Sequence, residues 1–161
     1  MKSSAKLDEI ELDEFDRKIL QTLQQSTDYS MAELGEKVGL SHTPCWRRIK
    51  RLESEGIIRG RVTLLDPWKL NLRVSVHAYL TLKSYDEQSV NDFEAAVQDI
   101  EEIVECYLIS GEKDYLLRII INSVNQYEQL LKLKITHLPN IASITSTFAL
   151  KQVKYTTQLP V

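Results

Sequence analysis

The chain has 161 residues, 43% of them hydrophobic, and a formal net charge of −3 at pH 7. This length accommodates one mid-sized or two small domains with an apolar core. No apolar run approaches the roughly 20 residues that a membrane span needs, so no membrane partner is expected. The first nine residues are too polar for a signal peptide, which predicts a cytoplasmic protein. Cys45 and Cys106 lack metal-ligand spacing and are expected to be buried small hydrophobes.

The charges are distributed unevenly along the chain. Acids are concentrated in the first 16 residues and again from 86 to 114. Between positions 42 and 62 the acids are only Glu53 and Glu55, and the basic residues are Arg47, Arg48, Lys50, Arg51, Arg59 and Arg61. Because salt screens charges beyond about 10 Å, a basic patch on an acidic chain still attracts phosphate.

Three helices are predicted in the first third of the chain. The first follows the N-cap residue Asp13, with apolar residues at helical spacing: Phe15, Ile19, Leu20 and Leu23. The second follows Ser30, which forms a capping box with Glu33. The third begins at Ser41 or Thr43, after the turn at 39–41.

The third predicted helix has one apolar face and one basic face. Its apolar residues Cys45, Ile49 and Leu52 are expected to pack against the second helix. A helix braced in this way is typical of a helix-turn-helix, which binds the DNA major groove. The predicted contacts to double-stranded DNA are Ser41, Thr43, Trp46, Arg47, Lys50, Arg51, Arg59 and Arg61. The alternative interpretation is a basic face that is only solvated.

A domain boundary is predicted at Asp66-Pro67, because proline ends a strand and stiffens a link. The segment 57–65 before it predicts a short β wing and an exit strand. Residues 1–66 are therefore interpreted as a winged helix-turn-helix DNA-binding domain with its exit strand, and residues 67–161 as a second domain.

The second domain shows a mixed pattern of strands and helices. Strands are predicted at 74–82, 104–110, 115–121 and 141–154, and helices at 87–100 and 124–136. Residues 111–114 are predicted as the hairpin turn between the second and third strands. The order β-α-β-β-α-β is the ferredoxin-like arrangement, so the predicted fold class is α+β.

No catalytic constellation is evident. The three histidines, His42, His77 and His137, fall in different elements and have no acid or cysteine at metal-ligand or triad spacing. No glycine loop is suited to phosphates. We therefore expect a binding protein with no metal, no cofactor and no enzymatic activity.

The chain resembles the Lrp/AsnC family, the feast/famine regulators, over nearly its whole length. The resemblance is carried by the segments 16–20, 32–34, 38–41, 43–45, 48–53, 56–58, 110–117 and 153–160. Trp46 after Pro44-Cys45, with the ending Thr156-Thr157…Leu159-Pro160, is similar to a branch that includes cysteine-responsive regulators. The resemblance implies dimers formed by paired sheets, an octamer of four dimers, and small amino acids bound between dimers.

The resemblance also implies an effector site for a small amino acid. Cysteine and leucine-like amino acids are the candidates. The residues of the site are Leu108, Gly111, Asp114, Val124, Thr147, Phe148 and Ala149. A free amino acid carries an ammonium and a carboxylate, for which Asp114 and the backbone N–H groups of the turn are suitable partners. Alternatively, Asp114 only caps a hairpin.

Three functions compete at this point. The first is a transcription regulator whose assembly or DNA affinity responds to a small amino acid. The second is a ligand-sensing module whose N-terminal helices serve only in assembly. The third, an amino-acid-metabolising enzyme, lacks a catalytic constellation.

Overall fold

The computed structural model describes residues 10–161. The polar start at 1–9, and that part of the predicted first domain, lie outside the described residues. The chain forms two compact units, one of residues 10–63 with Lys154–Val161, the other Leu64–Val153. The first unit thus includes a C-terminal segment that the sequence had assigned to the second domain. In the described part of the chain, no helix is long and apolar enough to cross a membrane.

The first unit contains three helices: α1 (Glu14–Gln25), α2 (Met31–Val38) and α3 (His42–Ser54). Asp13 and Ser30 are the N-caps of α1 and α2, and each forms a capping box with the residue three positions later. The buried core consists of Ile19, Leu20, Leu34, Val38, Cys45, Ile49 and Leu52. The predicted apolar face of α3 is therefore confirmed.

The turn from α2 to α3 depends on two glycines. Gly39 ends α2 with a left-handed φ of 75°. Gly35, one turn earlier, accepts a hydrogen bond from the Leu40 N–H, at 2.8 Å. A Cβ at Gly35 would lie 2.6 Å from the Leu40 carbonyl oxygen, so no side chain fits there without backbone movement. The sequence predicts the turn at 39–41 but carries no signal for this close approach.

The β wing and exit strand predicted at 57–65 are wrong for the single chain. Residues 57–73 contain no strand, and Val62, Leu64 and Leu65 are exposed. A strand exists only when a neighbour pairs with its backbone groups. The extended sequence pattern is present in this segment, but no second segment lies beside it.

The second unit is a four-stranded sheet with two helices. Its elements are β1 (Val74–Leu82), α4 (Glu87–Gln98), β2 (Ile103–Leu108), β3 (Tyr115–Ile121), α5 (Val124–Leu133), a short 3₁₀ turn (Ile135–His137) and β4 (Ile141–Phe148). The strand order is β2-β3-β1-β4, with every neighbouring pair antiparallel. This confirms the predicted βαββαβ fold.

One face of this sheet is buried against α4 and α5. Every second residue of β1 and β3 points into the core, as period-two alternation requires. The core includes Phe93 and Val97 from α4, and Tyr127 and Leu130 from α5. The intervening residues on the opposite sheet face are only half-buried.

β4 is shorter than predicted, because its partner strand ends. Phe148 lies opposite Val76, and the Ala149 N–H donates to the Ser75 carbonyl oxygen at 2.9 Å. β1 begins at Val74, two residues before Val76, so the register leaves no residue of β1 for the chain beyond 150. The prediction of a strand as far as Lys154 is therefore wrong.

Candidate functional site

The outer face of α3 carries most of the predicted DNA-binding residues. Ser41, Thr43, Trp46, Arg47 and Lys50 are all exposed, with 46% of Trp46 accessible. Ser41 occupies the N-cap position, yet its side chain makes no capping hydrogen bond. Its hydroxyl therefore remains available at the positive end of the helix, where phosphate is favoured.

Two arginines of α3 are instead directed to α1. Asp16 is only 1% exposed, and one of its oxygens accepts a hydrogen bond from Arg48 Nη1 at 2.8 Å. The other oxygen accepts from Arg51 Nη2, and Arg48 Nη1 also donates to Asp13 at 2.7 Å. These bonds raise the pKa of Arg48, chiefly through Asp13 and then Asp16, and the pKa of Arg51 through Asp16. The buried carboxylate thus fixes α3 against α1.

Asp16 was missed at the sequence level as a structural anchor. The signal was present, because Asp16 precedes Ile19 and Leu20 on the apolar face of a helix. A charge at such a position needs a buried partner of opposite sign. Arg51, predicted only as a DNA contact, is 41% exposed and spends part of its hydrogen-bonding capacity on this anchor.

A second acid, Glu53, pairs with two of the remaining cations. Glu53 accepts a hydrogen bond from Lys50 Nζ at 2.7 Å and lies 3.3 Å from Arg61 Nη2. The hydrogen bond from Lys50 is the main reason that the pKa of Glu53 is lowered. Within the described residues, no ion pair engages Arg47 or Arg59.

Three arginines form a cationic groove on the surface of α3. The groove is lined by Pro44, Arg47, Arg48 and Arg51. Three guanidinium groups at one groove can hold phosphate oxygens or the acceptor atoms on a base edge. Of these three arginines, Arg47 alone makes no contact with Asp16.

The predicted effector turn is closed by hydrogen bonds of its own. The Leu82 N–H donates to Asp114 Oδ2 at 2.7 Å, and the Tyr85 hydroxyl donates to both carboxylate oxygens at 3.1 and 3.2 Å. The bond to Asp114 raises the pKa of Tyr85. Gly111 has a φ of +129°, a conformation that side chains disfavour. Tyr85 was not found from the sequence, which contains no motif that points to it.

Leu108 lies at the same end of the sheet as this turn, whereas Val124 and residues 147–149 lie at the opposite end. Leu108 pairs with Tyr115, where β3 begins, whereas Val124 follows Ile121, where β3 ends. Six residue steps of β3 correspond to about 20 Å. The end of β4, with Thr147, Phe148 and Ala149, lies beside the start of β1 and hence also at the Val124 end.

The predicted effector residues therefore form two groups within one chain. The turn group contains Leu108, Gly111 and Asp114, and the strand-end group contains Val124 and 147–149. Leu108 and Val124 are 71% and 58% exposed. One small amino acid cannot span the distance between the two groups.

The described residues contain no group of three or more His, Cys, Asp and Glu side chains that could hold a metal ion. Cys45 is buried as predicted, whereas Cys106 is only half-buried, and both are free thiols. Burial raises the pKa of each thiol.

Comparison with known proteins places both halves of the chain. Residues 12–59 match the winged helix-turn-helix DNA-binding family, and residues 75–159 match the Lrp/AsnC ligand binding domain. The DNA-binding transcriptional activator DecR of Escherichia coli K12 is 37% identical over 150 residues, covering 93% of this chain and 99% of DecR.

Solved structures agree with these matches. An AsnC family transcriptional regulator from Agrobacterium tumefaciens superposes with a TM-score of 0.89 at 43% identity, covering 92% of this chain and 97% of that one. A transcriptional regulator from Neisseria meningitidis, in complex with L-methionine, gives 0.88 at 35% identity, covering 93% and 97%. The chain belongs to the Lrp/AsnC family of transcriptional regulators, with a helix-turn-helix DNA-binding domain followed by a ligand-binding domain.

Proposed function

We propose that this protein binds double-stranded DNA through α3 and changes its DNA affinity or assembly when a small amino acid binds its sheet domain. The observation that carries the proposal is that the arginines of α3 have different partners. Arg48 and Arg51 hold the helix to Asp16, while Arg47 stays exposed beside them. A recognition helix needs both a rigid attachment and free donors.

Each predicted DNA contact has a role that suits its position. Arg47 projects from the middle of the outer face, where it can donate two hydrogen bonds to a guanine. Ser41 and Thr43, at the N-terminus of α3, suit phosphate oxygens. Trp46 offers an apolar surface beside them. Lys50, Arg51, Arg59 and Arg61 supply further cations for the phosphate backbone.

The effector site needs two copies of the chain. The turn group of one copy and the strand-end group of another can meet across an interface, although they stand about 20 Å apart within one chain. In this arrangement the Asp114 carboxylate, already oriented by Leu82 and Tyr85, receives the ammonium of the amino acid. The methionine complex of the Neisseria relative supports a ligand of this class.

An effector site between two copies of the chain also requires self-association. The face of the sheet that α4 and α5 leave open carries half-buried apolar residues, among them Tyr79, Leu116 and Ile120. We propose that this face pairs two copies into a dimer and that four dimers form an octamer. Two recognition helices on one side of a duplex predict half-sites about 10 bp apart, or a multiple of that. The protein acts by binding and not by catalysis.

The DNA-binding half is tested by selecting a binding site from random duplexes with the full chain, then measuring its affinity by fluorescence anisotropy. Arg47→Ala should weaken binding by about 5- to 150-fold, the equivalent of roughly 1–3 kcal/mol for a base contact. Lys132→Ala removes the same charge from α5 and should leave the affinity unchanged. Equal affinities for Arg47→Ala and the wild type would refute the assignment.

The effector half is tested by thermal unfolding in the presence of each of the 20 common amino acids. A ligand at one hundred times its dissociation constant stabilises the folded chain by about 2.7 kcal/mol. Asp114→Ala should abolish the stabilisation and the change in DNA affinity, while ligand-free DNA binding stays near normal. If that variant responds like the wild type, Asp114 is only a hairpin residue.

A further inference from the structure

The C-terminal tail, residues 154–161, docks on α1. The Leu159 N–H donates to Gln24 Oε1, and Gln24 Nε2 donates back to the Leu159 carbonyl oxygen at 3.1 Å. Gln21 Nε2 donates to a Val161 oxygen at 2.8 Å. The Val161 side chain packs against the apolar core of the first unit. The last three residues are thus held at both ends.

The docking site recognises a peptide backbone. The Gln24 amide provides one acceptor and one donor, which satisfies both backbone groups of Leu159. Pro160, between the two anchored residues, has no N–H that would need a partner, and its ring limits the conformations of the free tail. Only the valine side chain is inserted, because 71% of Leu159 remains exposed.

The tail is also the direct continuation of β4. Five residues, 149–153, separate Phe148 at the end of β4 from the tail. The chain therefore passes between its two units twice, once after residue 63 and again after residue 153. These five residues are the covalent link between the end of β4 and the tail.

α1 in turn holds the recognition helix. Gln21 and Gln24 lie within about two helical turns of Asp16, which binds Arg48 and Arg51 of α3. A contiguous series of contacts thus runs from the tail through α1 to the helix that carries Arg47.

We propose that α1 carries a binding site for the C-terminal tail, and that docking of the tail transmits effector binding at the strand-end group to the recognition helix. This inference rests on the proposed function. An amino acid that favours one arrangement of 147–149 shifts the balance between docked and released tail. The docked tail contacts α1, and α1 holds α3 through Asp16. The same shift therefore changes how firmly α3 is held.

The test uses three variants of the full protein and the probes L-methionine, L-leucine and L-cysteine. Gln24→Ala removes the paired backbone bonds, and a chain ending at Gln158 removes the anchored residues. Gln25→Ala is the matched control, since Gln25 lies on α1 but makes none of these contacts. For each variant we would measure the probe affinity by calorimetry, the DNA affinity with and without probe, and the assembly by light scattering.

In the wild type, the active probe should change DNA affinity by about 5- to 150-fold. Gln24→Ala and the shortened chain should bind that probe normally and keep their assembly, but their DNA response should fall below about two-fold. Gln25→Ala should respond like the wild type. A full response in both tail variants would overturn the inference, and so would loss of the response only together with loss of assembly.

Failure of the proposed function gives a different result. In that case none of the probes binds the wild type or changes its DNA affinity.

Hydrogen exchange on the full chain examines the docking separately. The Leu159 amide should exchange more slowly than that of Thr157, and Gln24→Ala should remove the difference. Equal exchange in the wild type would show that the tail is not docked, which also overturns the inference.

Discussion

The helix-turn-helix unit and the sheet unit are stabilised by different kinds of contact. Fifteen buried hydrophobic residues form the core of the sheet unit. The helix-turn-helix unit has a core of seven, together with Asp16, the buried charged residue of the described chain. The smaller unit thus relies on an ionic anchor and a close backbone approach where the larger one relies on apolar area. In the smaller unit, the contacts that stabilise the fold also decide which arginines face DNA.

The largest effect is expected from a cavity in the sheet core. Leu117 is fully buried on β3, so Leu117→Ala should lower the free energy of unfolding by about 2–5 kcal/mol. Leu150→Ala makes the same change at a fully exposed residue and should stay within about 0.5 kcal/mol. Urea unfolding followed by circular dichroism measures both. Similar values for the two variants would contradict the position of the core.

The ionic anchor should contribute somewhat less. Asp16→Asn keeps the shape of the side chain but removes the charge that Arg48 and Arg51 bind. Hydrogen bonds to charged groups contribute about 1.5–3 kcal/mol, and we expect a loss in this range. Glu14→Gln is the control, because the Glu14–Lys18 pair is exposed and worth about 0.5 kcal/mol or less. Equal losses from the two variants would show that Asp16 anchors nothing.

The close approach in the helix-turn-helix can be tested with a single methyl group. Gly35→Ala places a Cβ 2.6 Å from the Leu40 carbonyl oxygen, so the turn must shift, at a cost of about 1–3 kcal/mol. Gly60→Ala is the control, since a Cβ there meets nothing within 4 Å. Thermal unfolding should therefore separate the two variants by several degrees. A Gly35→Ala variant as stable as the Gly60→Ala variant would rule out the tight turn.

The smallest effect concerns acid and the helix caps. Hydrogen bonds from Ser84 and then Ser89 lower the pKa of Asp86, the N-cap of α4, to about 2. A folded pKa below the unfolded value of about 3.9 stabilises the fold above that pH, and the contribution disappears as the pH falls through about 2. Asp86→Asn should therefore be slightly less stable than the wild type at pH 6, and the difference should vanish near pH 2. A difference that grows towards acid would contradict this sign.

The same linkage predicts acid sensitivity of the helix-turn-helix unit. The pKa of Asp13 is lowered chiefly by the Asp16 N–H, and that of Glu33 by the Ser30 hydroxyl. Both contributions are present above about pH 4 and are lost as the pH falls. The two units thus share acid-labile caps, whereas only the smaller one has a buried ionic anchor.

The sequence predicted the elements whose signals are local. The N-cap residue Asp13 and the capping box at Ser30 predicted the starts of α1 and α2, and period-two alternation predicted the bounds of β1. Strand ends and pairings are not local properties. β4 ends close to the point where the register reaches Val74, the first residue of β1, and within the described residues the segment 57–65 has no partner strand.

The sequence also did not predict which side chains would pair with one another. The helical spacing placed Arg51 on the outer face of α3, but only the packing of α1 against α3 brings Asp16 within reach of it. The resemblance supplied seven effector residues, and strand register alone separates them into two groups about 20 Å apart. The docking of residues 154–161 on α1 had no sequence signal, because glutamine amides binding a peptide backbone follow no motif.

The most direct test of the account compares Arg47→Ala with Arg51→Ala, measuring both the free energy of unfolding and the affinity for the selected duplex. Arg47→Ala should leave unfolding within about 0.5 kcal/mol and weaken DNA binding by roughly 1–3 kcal/mol. Arg51→Ala should lower the unfolding free energy by about 1.5–3 kcal/mol and affect DNA binding less than Arg47→Ala does. If both variants lose DNA affinity equally and neither is destabilised, the division of α3 between anchoring and recognition is wrong.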